Sequence, residues 1–166
     1  KIKIKINNIY LNSKANDENM NFVYTLAKKI KISDNSFIKS MNSFKGLFHR
    51  YEIFLKKHGV TFINDSKATS LQSSKFALAS SKNIYWIVGG LPKAKDKIDL
   101  NNVKNNIIKS YIIGKNISFF KKQLKNKVKF TIKKTLRNAV ISILKEIKLS
   151  NRIKNVILLS TGAASF

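Results

Sequence analysis

The chain has 166 residues, 43% of them hydrophobic, enough for one domain, or one domain and part of another, around a real core. It has no Cys and only two His, His49 and His58, which excludes disulfide frameworks and Cys-zinc sites and argues against a His-built metal cage. Lys and Arg number 33 against 8 Asp and Glu, a formal net charge of +25 that would draw polyanions at low salt.

That charge is not gathered into a basic arm. Lys, Asn and Ile recur in every segment, the texture that A- and T-rich codons produce, and no aromatic-plus-basic stacking motif accompanies them. No apolar run approaches the roughly 20 residues of a membrane helix. The opening KIKIKI alternates charge and Ile, unlike a signal peptide. The chain starts on Lys rather than Met, which suits a piece of a longer protein.

In chain order, the alternation over residues 1–11 predicts a strand with one polar face. Asn16 to Ile30 reads as a helix, with Met20, Val23, Leu26, Ala27 and Ile30 at helical spacing. Ser33 is placed to cap a second helix running to Phe44, and Gly46 breaks the pattern. Tyr51 to Leu55, a Lys-Lys-His-Gly turn and Val60 to Ile63 read as a hairpin. Helices follow at Ser70 to Ser80, Asn101 to Lys109, Ile117 to Leu124 and Thr135 to Ile147. Strands are expected at Ile84 to Val88, Tyr111 to Ile113, Val128 to Phe130 and Val156 to Leu159. Strand and helix alternate from about residue 60. That predicts an α/β fold, a Rossmann-like and mostly parallel sheet with helices on both faces.

Ligands of such sheets sit beyond the carboxyl ends of the strands. Three predicted strands end in polar or Gly-rich stretches: Asp65-Ser-Lys-Ala-Thr69, Gly89-Gly-Leu-Pro-Lys93 and Ser160-Thr-Gly-Ala-Ala-Ser165. On one rim, Lys67 and Lys93 would supply positive charge, and Thr69 and Ser165 hydroxyls. The helix starting near Ser70 would aim its first amides at the same place, favouring a carboxylate or phosphate. Asp65 could hold Lys67 or accept from a sugar hydroxyl, and Gly89-Gly90 would let backbone approach a ligand. Arg50, beside His49, could fork onto an anion. Asn16 and Asn19 could hydrogen-bond a base edge. Each turn taken alone is also an ordinary strand-to-helix turn with Asp and Ser as caps. No Ser/His/Asp triad, GxxxxGK[ST] loop or GxGxxG loop is present.

"GLFHRYE" (46–52), "GVTFINDSKATS" (59–70), "IVGGLPKAKD" (87–96) and "VILLSTGAASF" (156–166) occur in the order and rough spacing found in the Mur ligases. The chain resembles that family from about residue 12 onward, and D-S-K-A-T after a strand resembles its D-glutamate-adding branch. Asn16-x-x-Asn19 is similar to the end of the family's H-N-x-x-N.

The resemblance implies two parts: residues 1–45 as the end of a central ATP-binding domain, and 46–166 as a carboxy-terminal domain cut slightly short. It implies part of a cytoplasmic, monomeric, ATP- and Mg2+-dependent ligase of peptidoglycan precursor synthesis. That enzyme would join D-glutamate to UDP-N-acetylmuramoyl-L-alanine through an acyl phosphate, with no membrane and no specific nucleic acid as partner. Residue by residue, Lys93, Thr69, Ser165 and Phe166 would hold D-glutamate. Lys67 and His49 would serve at the transfer centre. Asn16, Asn19, Arg50 and Asp65 would meet the nucleotide. The phosphate loop, magnesium ligands and uridine domain of the family lie upstream, so no metal site and no ligase activity are expected of these residues alone.

Ala15, Phe48, Ser70 and Thr161-Gly162 depart from the family's usual His, Pro, Asn and Pro-Ala. Two other readings stand beside this one: a basic nucleic-acid-binding α/β domain, from the charge, and an inactive truncated ligase, from Ala15 and the end at Phe166.

Overall fold

The computed structural model describes residues 5–11, 14–93 and 95–164, and for residues 14 and 15 the backbone alone. The expectations for Ser165 and Phe166, and for residues 1–4 of the first predicted strand, lie outside the described residues. The chain divides into two compact units between Leu47 and Phe48.

The first unit holds α1 (Lys14–Lys29) and α2 (Asp34–Ser43). The predicted cap is in place: the Ser33 side chain accepts from Ser36 N–H, satisfying an amide the helix cannot pair itself. Tyr24 meets Phe37 edge-on at 5.1 Å, and its hydroxyl donates to Asp34. Residues 5–11 form no strand, contrary to the alternation. The buried Asn8 explains the difference. Its amide donates to the carbonyls of Met41 (2.8 Å) and Phe44 (2.7 Å) at the end of α2. Its own oxygen accepts from Tyr10 N–H, bending the segment into a turn.

The second unit is a six-stranded sheet in the order β1-β2-β6-β3-β4-β5. Its strands are β1 (Glu52–Lys57), β2 (Val60–Asn64), β3 (Ile84–Gly89), β4 (Ile107–Ile113), β5 (Phe130–Lys134) and β6 (Asn155–Leu159). Only β1 is antiparallel. It joins β2 through His58 and Gly59, both at positive φ (47° and 75°), the pair of conformations a two-residue hairpin requires.

Three helices cover the sheet: α3 (Leu71–Ala79), α4 (Ile117–Leu124) and α5 (Leu136–Lys148). The wholly buried β3 shows how the two faces are divided, because side chains alternate along a strand. Ile84, Trp86 and Val88 pack with Leu71 and Leu78 of α3 and Phe120 and Leu124 of α4. Tyr85 and Ile87 pack with Ala139 and Ile143 of α5 on the other face.

The helix predicted over Asn101 to Lys109 is absent. Only a 3-10 turn, Lys104–Asn106, precedes β4, which begins at Ile107 rather than Tyr111. Ile107, Ser110, Tyr111 and Ile112 are buried in a strand between β3 and β5. Burial on both faces favours the extended form of this Ile-rich run. β5 starts at Phe130, two residues later than the apolar pattern suggested.

Candidate functional site

β6 lies between β2 and β3, so the carboxyl ends of these three strands are side by side. The turns beyond them are stitched together. Asp65 N–H donates to Leu159 O (2.7 Å), and Ser160 Oγ donates to Asp65 Oδ2 (2.7 Å). Ser160 Oγ also lies 2.8 Å from Ser74 Oγ of α3, and its carbonyl accepts from Trp86 Nε1 at 2.8 Å. On the other side Gly89 N–H donates to Thr161 O, and Leu91 and Ala164 exchange backbone hydrogen bonds as an antiparallel pair. Residues 160–164 thus run as a strip between the turn that follows β2 and the turn that follows β3.

Gly89 has φ of +151°, and a Cβ there would stand 2.1 Å from Ile113 O, so the close approach of β3 to β4 at this rim admits no side chain.

Asp65 is the centre of the stitching. It is buried, and its second oxygen accepts from Tyr51 N–H at 3.0 Å, fastening the start of the hairpin as well. Burial pushes its carboxyl above the ordinary range, while the hydrogen bonds from Ser160 and Tyr51 and the charge of Arg50 pull it partly back. Sequence reasoning set Asp65 toward a nucleotide. The geometry gives both of its oxygens partners within the chain.

The outward face carries the expected cations and hydroxyl. Lys67, Thr69 and Lys93 are exposed, and their side chains make no hydrogen bond or ion pair among the described residues. Lys67 is held only through its backbone, its N–H donating to His49 O at 3.0 Å. His49 adopts a φ of 64°, uncommon for a residue with a side chain. Its N–H goes to Glu52 Oε2 (2.9 Å), and its Nδ1 lies 2.7 Å from Asn64 Nδ2. Arg50 is exposed beside it. Asn16 and Asn19 belong to the first unit, on α1, where Asn16 donates to Tyr10 O at 2.9 Å and Asn19 is exposed.

Two of the first amides of α3, expected to face an external anion, are taken within the chain. Ser70 accepts from Ser73 N–H, and the Leu71 N–H is taken by Asp96 Oδ2 at 2.9 Å. An anion does sit at that helix start, and it belongs to the chain. Asp96, Ser160 and Ser74 were given no role from sequence. Their signal was position: Asp96 closes the "IVGGLPKAKD" stretch, and Ser160 follows directly on an apolar strand.

Two hollows lie at the opposite rim. One, of about 580 Å³, is lined by Lys56, Lys57, Lys82 and Lys154 among others, at the amino ends of β2 and β6. A second, of about 690 Å³, includes Lys104, Lys127, Lys129 and Arg152. Chemically, the carboxyl-end rim offers charge and position: exposed cations and a hydroxyl held on fixed turns suit an anion.

No protein-family model matches the chain. Among curated proteins, it is 37% identical over 156 residues to UDP-N-acetylmuramoylalanine--D-glutamate ligase of Wolbachia sp. subsp. Brugia malayi (strain TRS), covering 94% of this chain and 31% of that protein. It is 36% identical over 137 residues to the ligase of the same name from Agrobacterium fabrum, covering 82% and 29%. The chain spans about a third of the length of these curated relatives. Among solved structures, MurF from Acinetobacter baumannii superposes with a TM-score of 0.68 at 16% identity, over 90% of this chain and 35% of that one. MurF ligase from Thermotoga maritima in complex with ADP gives 0.62 at 14% identity, over 91% and 36%. At such identities the structural likeness establishes the shared fold.

Proposed function

We propose that the chain belongs to the Mur ligase family, as its likeness to the curated D-glutamate ligases supports, and that it supplies the amino-acid-binding wall of an ATP-dependent ligase. That ligase joins D-glutamate to UDP-N-acetylmuramoyl-L-alanine. The observation that carries this reading is the stitched rim: Lys67, Thr69 and Lys93 project from turns tied to one another through Asp65, Ser160 and the Leu91–Ala164 pair. D-glutamate brings two carboxylates, and the rim offers charge-assisted partners for them. Lys93 and Thr69 hold the amino acid, and the family resemblance assigns Ser165 and Phe166 to it as well.

Lys67, next along the rim, faces the phosphoryl group passing to the substrate carboxylate and offsets the charge that develops there. The D-glutamate amine then attacks the acyl carbon, the amide forms and phosphate leaves. On the same reading Arg50 is assigned to the nucleotide and His49 to the transfer centre, and Asn16 and Asn19 are assigned to nucleotide binding. Asp65 acts through the loops it fastens. ATP enters as co-substrate. Mg2+ is assigned, on the family resemblance, to residues upstream of this segment. The domain assignment follows the same reading: residues 1–45 as the end of the ATP-binding domain and 46–166 as the amino-acid-binding domain.

The test is Lys93→Ala in the full-length protein, with phosphate release followed as D-glutamate and ATP are varied in turn. Loss of one charge-assisted contact is worth about 1.5–3 kcal/mol, so the D-glutamate KM should rise about ten- to a hundredfold while the ATP KM stays put. An unchanged D-glutamate KM would remove Lys93 from the site.

A further inference from the structure

We propose that Asp96 and Gln123 form a clamp that fixes Lys93 relative to Thr69, and that both are positioning residues for the bound amino acid. The proposal rests on the D-glutamate reading of the rim. Four hydrogen bonds define the clamp. Asp96 Oδ2 accepts from Leu71 N–H at 2.9 Å, two residues beyond Thr69. Asp96 N–H donates to Lys93 O at 3.1 Å, closing a turn on Lys93 itself. Gln123, from α4, donates through Nε2 to Asp96 O at 3.1 Å and accepts at Oε1 from Ile98 N–H at 3.2 Å. One side-chain amide therefore holds the segment on its donor and acceptor sides together. Lys127 Nζ adds a bond to Ile98 O, and Ile98 and Leu100 then enter the core.

The consequence is a rooted loop with a projecting tip. Leu91 and Lys93 are exposed, whereas the segment from Asp96 onward is bonded to α3 and α4. A Lys on an unrooted loop would have to be ordered by the ligand, and that ordering subtracts from affinity. A Lys whose backbone is already fixed loses only its own rotamer freedom. The Asp96 carboxylate has a second effect. By holding the first amide of α3, it leaves a ligand carboxylate to Lys93 and Thr69, so the amino acid has one register on the rim.

The experiment is steady-state phosphate release by the full-length protein, with D-glutamate and ATP varied separately, for Asp96→Ala, Asp96→Asn, Gln123→Leu and Lys93→Ala. Asp96→Ala and Gln123→Leu should raise the D-glutamate KM about tenfold, with kcat and the ATP KM within about twofold of wild type. Asp96→Asn keeps an oxygen for Leu71 N–H and should restore most of the D-glutamate affinity, which a general loss of stability would not do. Hydrogen exchange at the Leu71 and Ile98 amides should quicken in Asp96→Ala and Gln123→Leu respectively. It reads the clamp even where a variant is too unstable for kinetics, and unchanged exchange in both overturns the clamp. A raised D-glutamate KM in Lys93→Ala with an unchanged one in Asp96→Ala and Gln123→Leu overturns the clamp alone. An unchanged value in Lys93→Ala overturns the reading of the rim on which the clamp depends.

Discussion

Asp65 is a carboxylate withdrawn from water at the point where three turns meet, and its chemistry shows which of its properties the fold uses. Burial raises its proton affinity above that of the unfolded chain, where the value is near 3.8. The folded state therefore binds the proton more tightly, and this group's contribution to stability falls as pH rises from 3.8 through the raised folded value. Asp65→Asn carries no such titration. Its stability deficit against the wild type should be larger near pH 4 than near pH 7, measured by urea unfolding with the buried Trp86 as fluorophore. A deficit that grows toward neutral pH would mean that the hydrogen bonds from Ser160 and Tyr51 outweigh desolvation. From sequence, Asp65 was visible as a carboxylate at a strand end but not as a clasp, because its partners Tyr51 and Ser160 lie 14 and 95 residues away. Lys67 and Lys93 were easier to place: an exposed cation on a turn needs no partner to be recognised.

At the scale of elements, legibility followed burial pattern and caps. Ser33 was placed as a cap and accepts the expected amide, and Ser70 and Thr135, read as the first residues of their helices, prove to be caps that accept from Ser73 N–H and Asn138 N–H. β3 and β6 read directly as short apolar runs bounded by turns. The failures were where one residue or neighbour overrode the local pattern: Asn8 pins a would-be strand to α2, and pairing with β3 and β5 draws Ile107 to Ile113 into a strand. α4 has a double duty, since Phe120 and Leu124 fill the core beneath it while Gln123 reaches the Lys93 loop. Phe120→Ala should cost about 3–5 kcal/mol, through lost burial and the cavity left behind, read as a lowered urea midpoint. A loss under about 1 kcal/mol would mean that α4 contributes little to the core.

Over the whole molecule, charge and site separate. Lysines line hollows at the amino ends of the strands as well as the carboxyl-end rim, so net charge alone marks no site. At the rim, the turns that carry Lys67 and Lys93 are joined by the buried hydrogen bonds of Ser160 with Asp65 and Trp86 and by the Leu91–Ala164 pair; around the other hollows Lys109 pairs with Glu146 and Asn83 holds the Lys154 carbonyl. The sequence motifs located this rim because order and spacing survive a heavy Lys and Asn bias. They did not reveal how the turns are held, since those bonds join residues far apart along the chain. The most direct measurement is a crystal structure of the full-length protein with D-glutamate bound. The account predicts the amino-acid carboxylates within hydrogen-bonding distance of Lys93 Nζ and Thr69 Oγ1. D-glutamate bound instead in the hollow lined by Lys56, Lys82 and Lys154, with Lys93 left in solvent, would contradict it.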